Sequence, residues 1–152
     1  MTGIAYGHRI GIRVTDASVL DSVARCLPPG WKPAARPLVD SMYSLVVGGE
    51  GPKVRRFNVL YRSTTRVARS LDLDSVLDTL KGDLKLHIAG FASSRVFVHA
   101  GVVGWRGRAI VLPGRTYAGK STLVAALLRA GAKYYSDEYA VLDRRGRVHP
   151  FP

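Results

Sequence analysis

The chain has 152 residues, 47% hydrophobic and 22% charged, a balance that excludes a disordered tail and allows a packed core. Its net charge of +12 favours anionic ligands or partners, but no lysine-rich tail or nucleic-acid motif accompanies it, so nucleic acid is not expected as the main partner. Cys26 is the sole cysteine, which excludes an internal disulfide, and with no apolar run of membrane-spanning length and no signal-peptide stretch the reading is cytoplasmic with no membrane span.

Residues 4–14 alternate loosely and predict a strand. Thr15 or Asp16 then caps a helix with Val19, Leu20, Val23, Ala24 and Leu27 inward. Pro28, Pro29 and Gly30 end it, and residues 31–37 read as a loop. Cys26 reads as a small core hydrophobe. Residues 42–47 and 54–61 predict a hairpin around residues 48–52, with Arg55, Asn58 and Arg62 in solvent. Asp72 or Asp74 caps a helix to Phe91, its stripe being Val76, Leu77, Leu80, Leu84, His87, Ile88 and Phe91, with His87 a core-edge histidine. Residues 96–103 predict a strand that turns at residues 104–107 into an antiparallel partner at residues 110–112. A helix follows from Ser121 to Arg129, with Leu123, Val124, Leu127 and Leu128 on one side and Gly131 as its C-terminal stop. Residues 133–136 and 139–142 predict two short strands, and residues 144–147 a turn. The composition shifts near residue 92. The fold class read from this order is α/β: an α+β accessory region over residues 1–92, then a P-loop core with a mixed sheet over residues 93–152.

The P-loop reading comes from Gly114-Arg115-Thr116-Tyr117-Ala118-Gly119-Lys120-Ser121-Thr122, which contains GxxxxGK[ST] between a predicted strand and a predicted helix. Gly114 and Gly119 let the backbone curl until successive N–H groups face a phosphate. The helix N-terminus adds unpaired N–H groups and partial positive charge. Lys120 reaches the outer phosphates as a cation, and the Ser121 hydroxyl is the expected Mg²⁺ ligand. Tyr117 reads equally as a nucleotide contact or as an exposed loop tyrosine. Asp137 and Glu138 follow a short strand after the helix. A carboxylate there can hold Mg²⁺, orient it through water or accept a proton from an attacking hydroxyl; a charged turn is the alternative. His99, in the preceding strand, can face the phosphates as an acid or donor, or be structural. The strand before Asp137 is polar-aromatic rather than strongly apolar, and the loop strand has an antiparallel neighbour. Both argue against an ordinary GTPase or transport ATPase.

Taken together, Val98-His99-Ala-Gly-Val-Val, the glycine loop, and Gly131-Ala-Lys-Tyr-Tyr-Ser-Asp137-Glu138 resemble the catalytic core of the HPr kinase/phosphorylase family, over roughly residues 95–152. The resemblance implies a serine kinase that uses ATP and Mg²⁺ on a peptide or small protein carrying an acceptor serine. It implies Asp137 as the base, Lys120 and Ser121 on phosphates and metal, Glu138 supporting the metal or an arginine, and His99 near the reacting phosphate. The acidic pair of the best-known family members is Asp-Asp, where this chain has Asp137-Glu138. Family members also continue beyond the matched segments. That implies a truncated product, a fragment or half of a split enzyme with a C-terminal partner chain, and the family's assembly separately implies a homo-oligomer. A non-catalytic nucleotide-binding regulatory or assembly module is the alternative function.

Overall fold

The computed structural model describes every residue except Pro52, Lys53 and Thr116. It is a mixed α/β structure of two compact units, Met1–Phe91 and Ala92–Pro152. Among the described residues no helix is long and apolar enough to cross a membrane.

The first unit is built on a six-stranded sheet. In chain order its elements are β1 (Thr2–Ala5), β2 (His8–Val14), a 3-10 turn (Ala17–Val19) leading into α1 (Leu20–Arg25), β3 (Lys32–Pro33), β4 (Ser41–Val46), β5 (Glu50–Gly51), β6 (Val54–Arg55), β7 (Asn58–Arg62), β8 (Thr65–Ser70) and α2 (Leu73–Phe91). The sheet order is β3-β1-β2-β4-β7-β8, while β5 and β6 form a separate small ribbon. Only β2 and β4 pair in parallel; the other described ladders are antiparallel. The expected strand over residues 4–14 is instead a hairpin, β1 with β2. Tyr6 and Gly7 turn it at φ 51° and 88°, the paired positive φ of a type I′ turn. β8 has no counterpart in the sequence reading, because Thr65–Ser70 carries Arg66 and Arg69 among few apolar residues.

Asp16 caps the 3-10 turn through Ser18 N–H, and Asp72 caps α2 by accepting from the Asp74 and Ser75 N–H groups and the Ser75 hydroxyl. Five of the stripe residues, Val76, Leu77, Leu80, Leu84 and Ile88, are buried, facing a core that includes Ile10, Ile12, Tyr43, Leu45 and Leu60. Cys26 is buried with its thiol directed at the Ser22 and Leu77 carbonyls. Asn58 and Arg62 are not solvated as expected. Asn58 accepts from Gly48 N–H and donates to the Leu71 carbonyl. Arg62 donates to both oxygens of Asp83 at 2.8 Å. Asn58 ties together two loops next to its strand, and Arg62 answers a carboxylate on α2; neither partner is adjacent in sequence. The side chain of Arg55 lies outside the described residues.

His8 and His87 share one hydroxyl. Ser41 Oγ lies 3.0 Å from His8 Nε2 and 2.6 Å from His87 Nε2, and the Phe91 ring packs against both imidazoles. A hydroxyl has one proton to give, so one ring accepts from it and the other donates. Burial is the main cause that lowers both pKa values; Arg9 adds to it at His8, and His8 and Arg62 at His87, against Asp40 and Asp83 respectively. An unfolded chain therefore takes up these protons first as pH falls below about 6.5. Their contribution to stability is complete above that pH and is lost as pH drops through the lowered folded values. The protection factors of β2 and β4 amides, taken against the intrinsic exchange rate at each pH, are expected to fall between pH 7 and pH 5, and His87→Gln to flatten that slope. An unchanged slope in the variant would refute the coupling.

The second unit contains β9 (Val96–Trp105), β10 (Arg108–Pro113), α3 (Lys120–Arg129), β11 (Lys133–Ser136), β12 (Tyr139–Leu142) and β13 (Val148–His149). β9 is the central strand. Its Ala100–Trp105 stretch pairs antiparallel with β10 on one edge. On the other edge lie β11, opposite residues 102–104, and β12, opposite residues 96–99. β11 and β12 thus run in one direction along the same edge of β9, as a single line interrupted at Asp137 and Glu138. Every described ladder of this sheet is antiparallel, which corrects the expected mixed sheet. The parallel pair belongs to the first unit.

α3 lies over β9 at Gly101, where an added Cβ would come within 2.8 Å of Val124. Val124 is accordingly the buried residue of the helix, and Leu123, expected beside it, is 48% exposed. The helix ends as its sequence requires. Gly131 (φ 98°) donates to Leu128 O and Ala132 to Leu127 O, the paired bonds of a Schellman stop. Beneath the sheet, Ala100, Val102 and Ala140 are fully buried with Val111, Tyr135, Leu142 and Val148 packed on them.

Candidate functional site

The second unit's topology brings together residues far apart in sequence. The loop from β10 to α3 leaves one edge of β9, and the break at Asp137 and Glu138 occurs on the other edge, opposite Ala100 and Gly101. α3 starts above that same point of β9. A cavity of about 420 Å³ opens there, lined by His99, Tyr117, Gly119, Lys120, Ser121, Thr122 and Asp137.

The loop is curled rather than extended. Tyr117 has φ 63° and Gly119 φ 79°. Ala118 N–H donates to Arg115 O. The Lys120 ammonium folds back and donates to the carbonyls of Gly114 and Arg115, each at 2.7 Å. A cation is therefore held over the loop by its own backbone. α3 begins at Lys120 with no side-chain cap and no acidic residue in its first turn, so its N-terminal N–H groups and partial positive charge remain directed at the cavity mouth. Tyr117 is fully exposed at the loop tip. A left-handed conformation costs a non-glycine residue roughly 1–2 kcal/mol, so the loop holds this tyrosine against its own preference.

The opposite wall is built by β9 and the interrupted strand. His99 is exposed, faces Tyr139 across the ladder, and meets its ring edge-on at 6.0 Å. Ser136 is 1% exposed, and its hydroxyl accepts from the Glu138 and Tyr139 N–H groups at 3.2 and 3.0 Å. Ala100 N–H donates to Glu138 O. These bonds occupy the backbone at the break and leave the Asp137 side chain exposed. Its Oδ1 accepts from the Tyr134 hydroxyl at 2.8 Å. Burial first, and then this carboxylate, push the Tyr134 phenol up to about 12.

The structure thus gathers His99, Tyr117, Gly119, Lys120, Ser121, Thr122 and Asp137 around one space. Gly114 and Arg115 contribute carbonyls to Lys120, and Ala118 shapes the turn. Glu138 is half-buried and does not line the cavity. Thr116 lies outside the described residues. Tyr134 and Ser136 escaped the sequence reading, because their role depends on the strand break, which no local pattern announces.

Compared with known proteins, the chain matches no family model, no curated protein and no solved structure.

The cavity can be tested for a nucleoside triphosphate and Mg²⁺. Residues 92–152 hold ten Lys and Arg against three Asp and Glu, so the field around the cavity favours a polyanion. The Lys120 ammonium and the uncapped helix end suit phosphate oxygens. No group of three His, Cys, Asp or Glu side chains able to hold a metal occurs among the described residues. Mg²⁺ asks for less: one or two protein oxygens with substrate phosphates and water completing its shell. Ser121 and Asp137 line the same cavity and fit that demand.

Proposed function

We propose that this protein is an ATP-dependent serine kinase of the HPr kinase-related type, transferring the γ-phosphate to a serine of a peptide or small protein. The observation that carries the reading is the convergence of Lys120 and Ser121, His99 and Asp137 on one cavity. It supports a phosphate cradle facing a carboxylate across a space into which an acceptor hydroxyl fits.

In this reading Lys120 exchanges its loop carbonyls for phosphate oxygens. The loop N–H groups and the helix N-terminus hold the remaining phosphate charge. Ser121 would hold Mg²⁺, with Asp137 reaching it through water, and the bound ion would supply positive charge to neutralise the phosphate oxygens. Asp137 takes the proton of the acceptor serine as the serine oxygen bonds to the γ-phosphorus and the bond to ADP breaks. His99, on the same wall, donates to the transferred phosphoryl oxygens. Most of the catalytic effect comes from fixed positions and fixed charge.

The test is incubation with MgATP and a library of serine-containing peptides, read by mass spectrometry for phosphoserine. A phosphoserine product that requires Asp137 supports the kinase. MgATP binding with no product from any peptide or from water would instead indicate a nucleotide-binding regulatory module.

A further inference from the structure

We infer that Tyr134 is the positioning residue of this site: its hydroxyl holds Oδ1 of Asp137, fixing the carboxylate so that Oδ2 is the oxygen offered to the cavity. The inference rests on the kinase reading for its consequence, but its geometry stands independently of it.

Along a regular strand, residues three apart lie on opposite faces and roughly 10 Å apart, so Tyr134 and Asp137 would not meet. They meet because the ladder with β9 shifts register between Tyr134 and Ser136. The Ser136 hydroxyl then pins the next two N–H groups. The break turns Asp137 back within 2.8 Å of the phenol. Core packing does not account for this tyrosine: its neighbour Tyr135 packs against Gly104, whereas Tyr134 is 44% exposed. What the phenol does here is engage one oxygen of the carboxylate that faces Lys120, Ser121 and His99. An exposed aspartate otherwise samples several rotamers, and a misplacement of about 1 Å at a reacting group costs on the order of a hundredfold in rate.

The experiment uses the full chain, Tyr134→Phe, Asp137→Ala and the double variant. The first readout needs no ligand: the Asp137 χ1 rotamer from NMR couplings. It is expected to be single in the wild type and averaged in Tyr134→Phe. The second is slow hydrolysis of MgATP, in which a water oxygen bonds to the γ-phosphorus, the bond to ADP breaks and the water proton passes to Asp137. Tyr134→Phe is expected to lower kcat about tenfold with KM for MgATP unchanged, and to have no further effect in the Asp137→Ala background. A rotamer already averaged in the wild type, or unchanged in Tyr134→Phe, overturns the inference. So does an equal kcat loss in the Asp137→Ala background, which would mark a merely structural residue. If the rotamer responds as expected but the wild type neither binds nor hydrolyses MgATP, Tyr134 stands as the residue that orients Asp137, and it is the kinase reading that falls.

Discussion

Asp137→Asn is expected to reduce phosphoryl transfer by roughly two to four orders of magnitude, the usual worth of a positioned base, while MgATP affinity stays within a few-fold. The substitution separates shape from proton affinity. An asparagine keeps an oxygen at the position that accepts the Tyr134 hydroxyl, so the side chain holds its place. Ser136 still pins the strand break through backbone N–H groups. What disappears is the negative charge and the capacity to take a proton. The loop side of the cavity, with Lys120 and the start of α3, is untouched. Single-turnover transfer or hydrolysis measured beside calorimetric MgATP binding checks both halves. Transfer retained in Asp137→Asn would remove the assigned base.

In the first unit the largest effect is expected at Asp83. Its carboxylate accepts the Tyr43 hydroxyl at 2.7 Å and Arg62 Nη1 at 2.8 Å, tying α2 to β4 and β7. Tyr43 is fully buried, and the Asp83 side chain is 14% exposed. Burial, followed by the Asp83 carboxylate, raises the Tyr43 phenol above its ordinary range. Asp83→Ala leaves a buried hydroxyl and a half-buried guanidinium without their partner. Breaking such a pair on one side costs about 3–5 kcal/mol, a fall in Tm of at least roughly 10 °C for a unit of this size. Asp83→Asn keeps an acceptor for the phenol and is expected to cost less. Urea unfolding of the three proteins checks the order. A change below about 0.5 kcal/mol in Asp83→Ala would mean that the three elements hold together by apolar packing alone.

Local signals in the sequence carried over to the structure where one element suffices to satisfy them. Gly131 stops α3, Asp72 starts α2, and the α2 stripe from Val76 to Ile88 packs inward. The antiparallel partnership of β9 and β10 also followed from their short connection. Features set by non-local pairing were not legible. Asn58 and Arg62 read as polar strand faces, yet each answers a partner from a distant segment. Tyr6-Gly7 hid a hairpin because its turn lacks the usual Asn or Asp. At the site, the sequence placed a glycine loop, a histidine and an acidic pair in order, but not their facing across β9. That arrangement depends on β11 and β12 sharing one edge, and on a break whose buried serine has no counterpart in periodicity. Leu123 looked apolar enough to pack but lies off the line that Gly101 opens for Val124.

The most direct test of the central claim is calorimetric titration of the full chain with Mg²⁺ and a non-hydrolysable ATP analogue, beside Lys120→Ala. Charge-assisted contacts of the kind Lys120 makes are worth about 1.5–3 kcal/mol each, so the account predicts saturable binding in the wild type and a loss of at least roughly tenfold in affinity in the variant. Equal affinity in the two proteins, or no binding by the wild type, would contradict a phosphate cradle at residues 114–122.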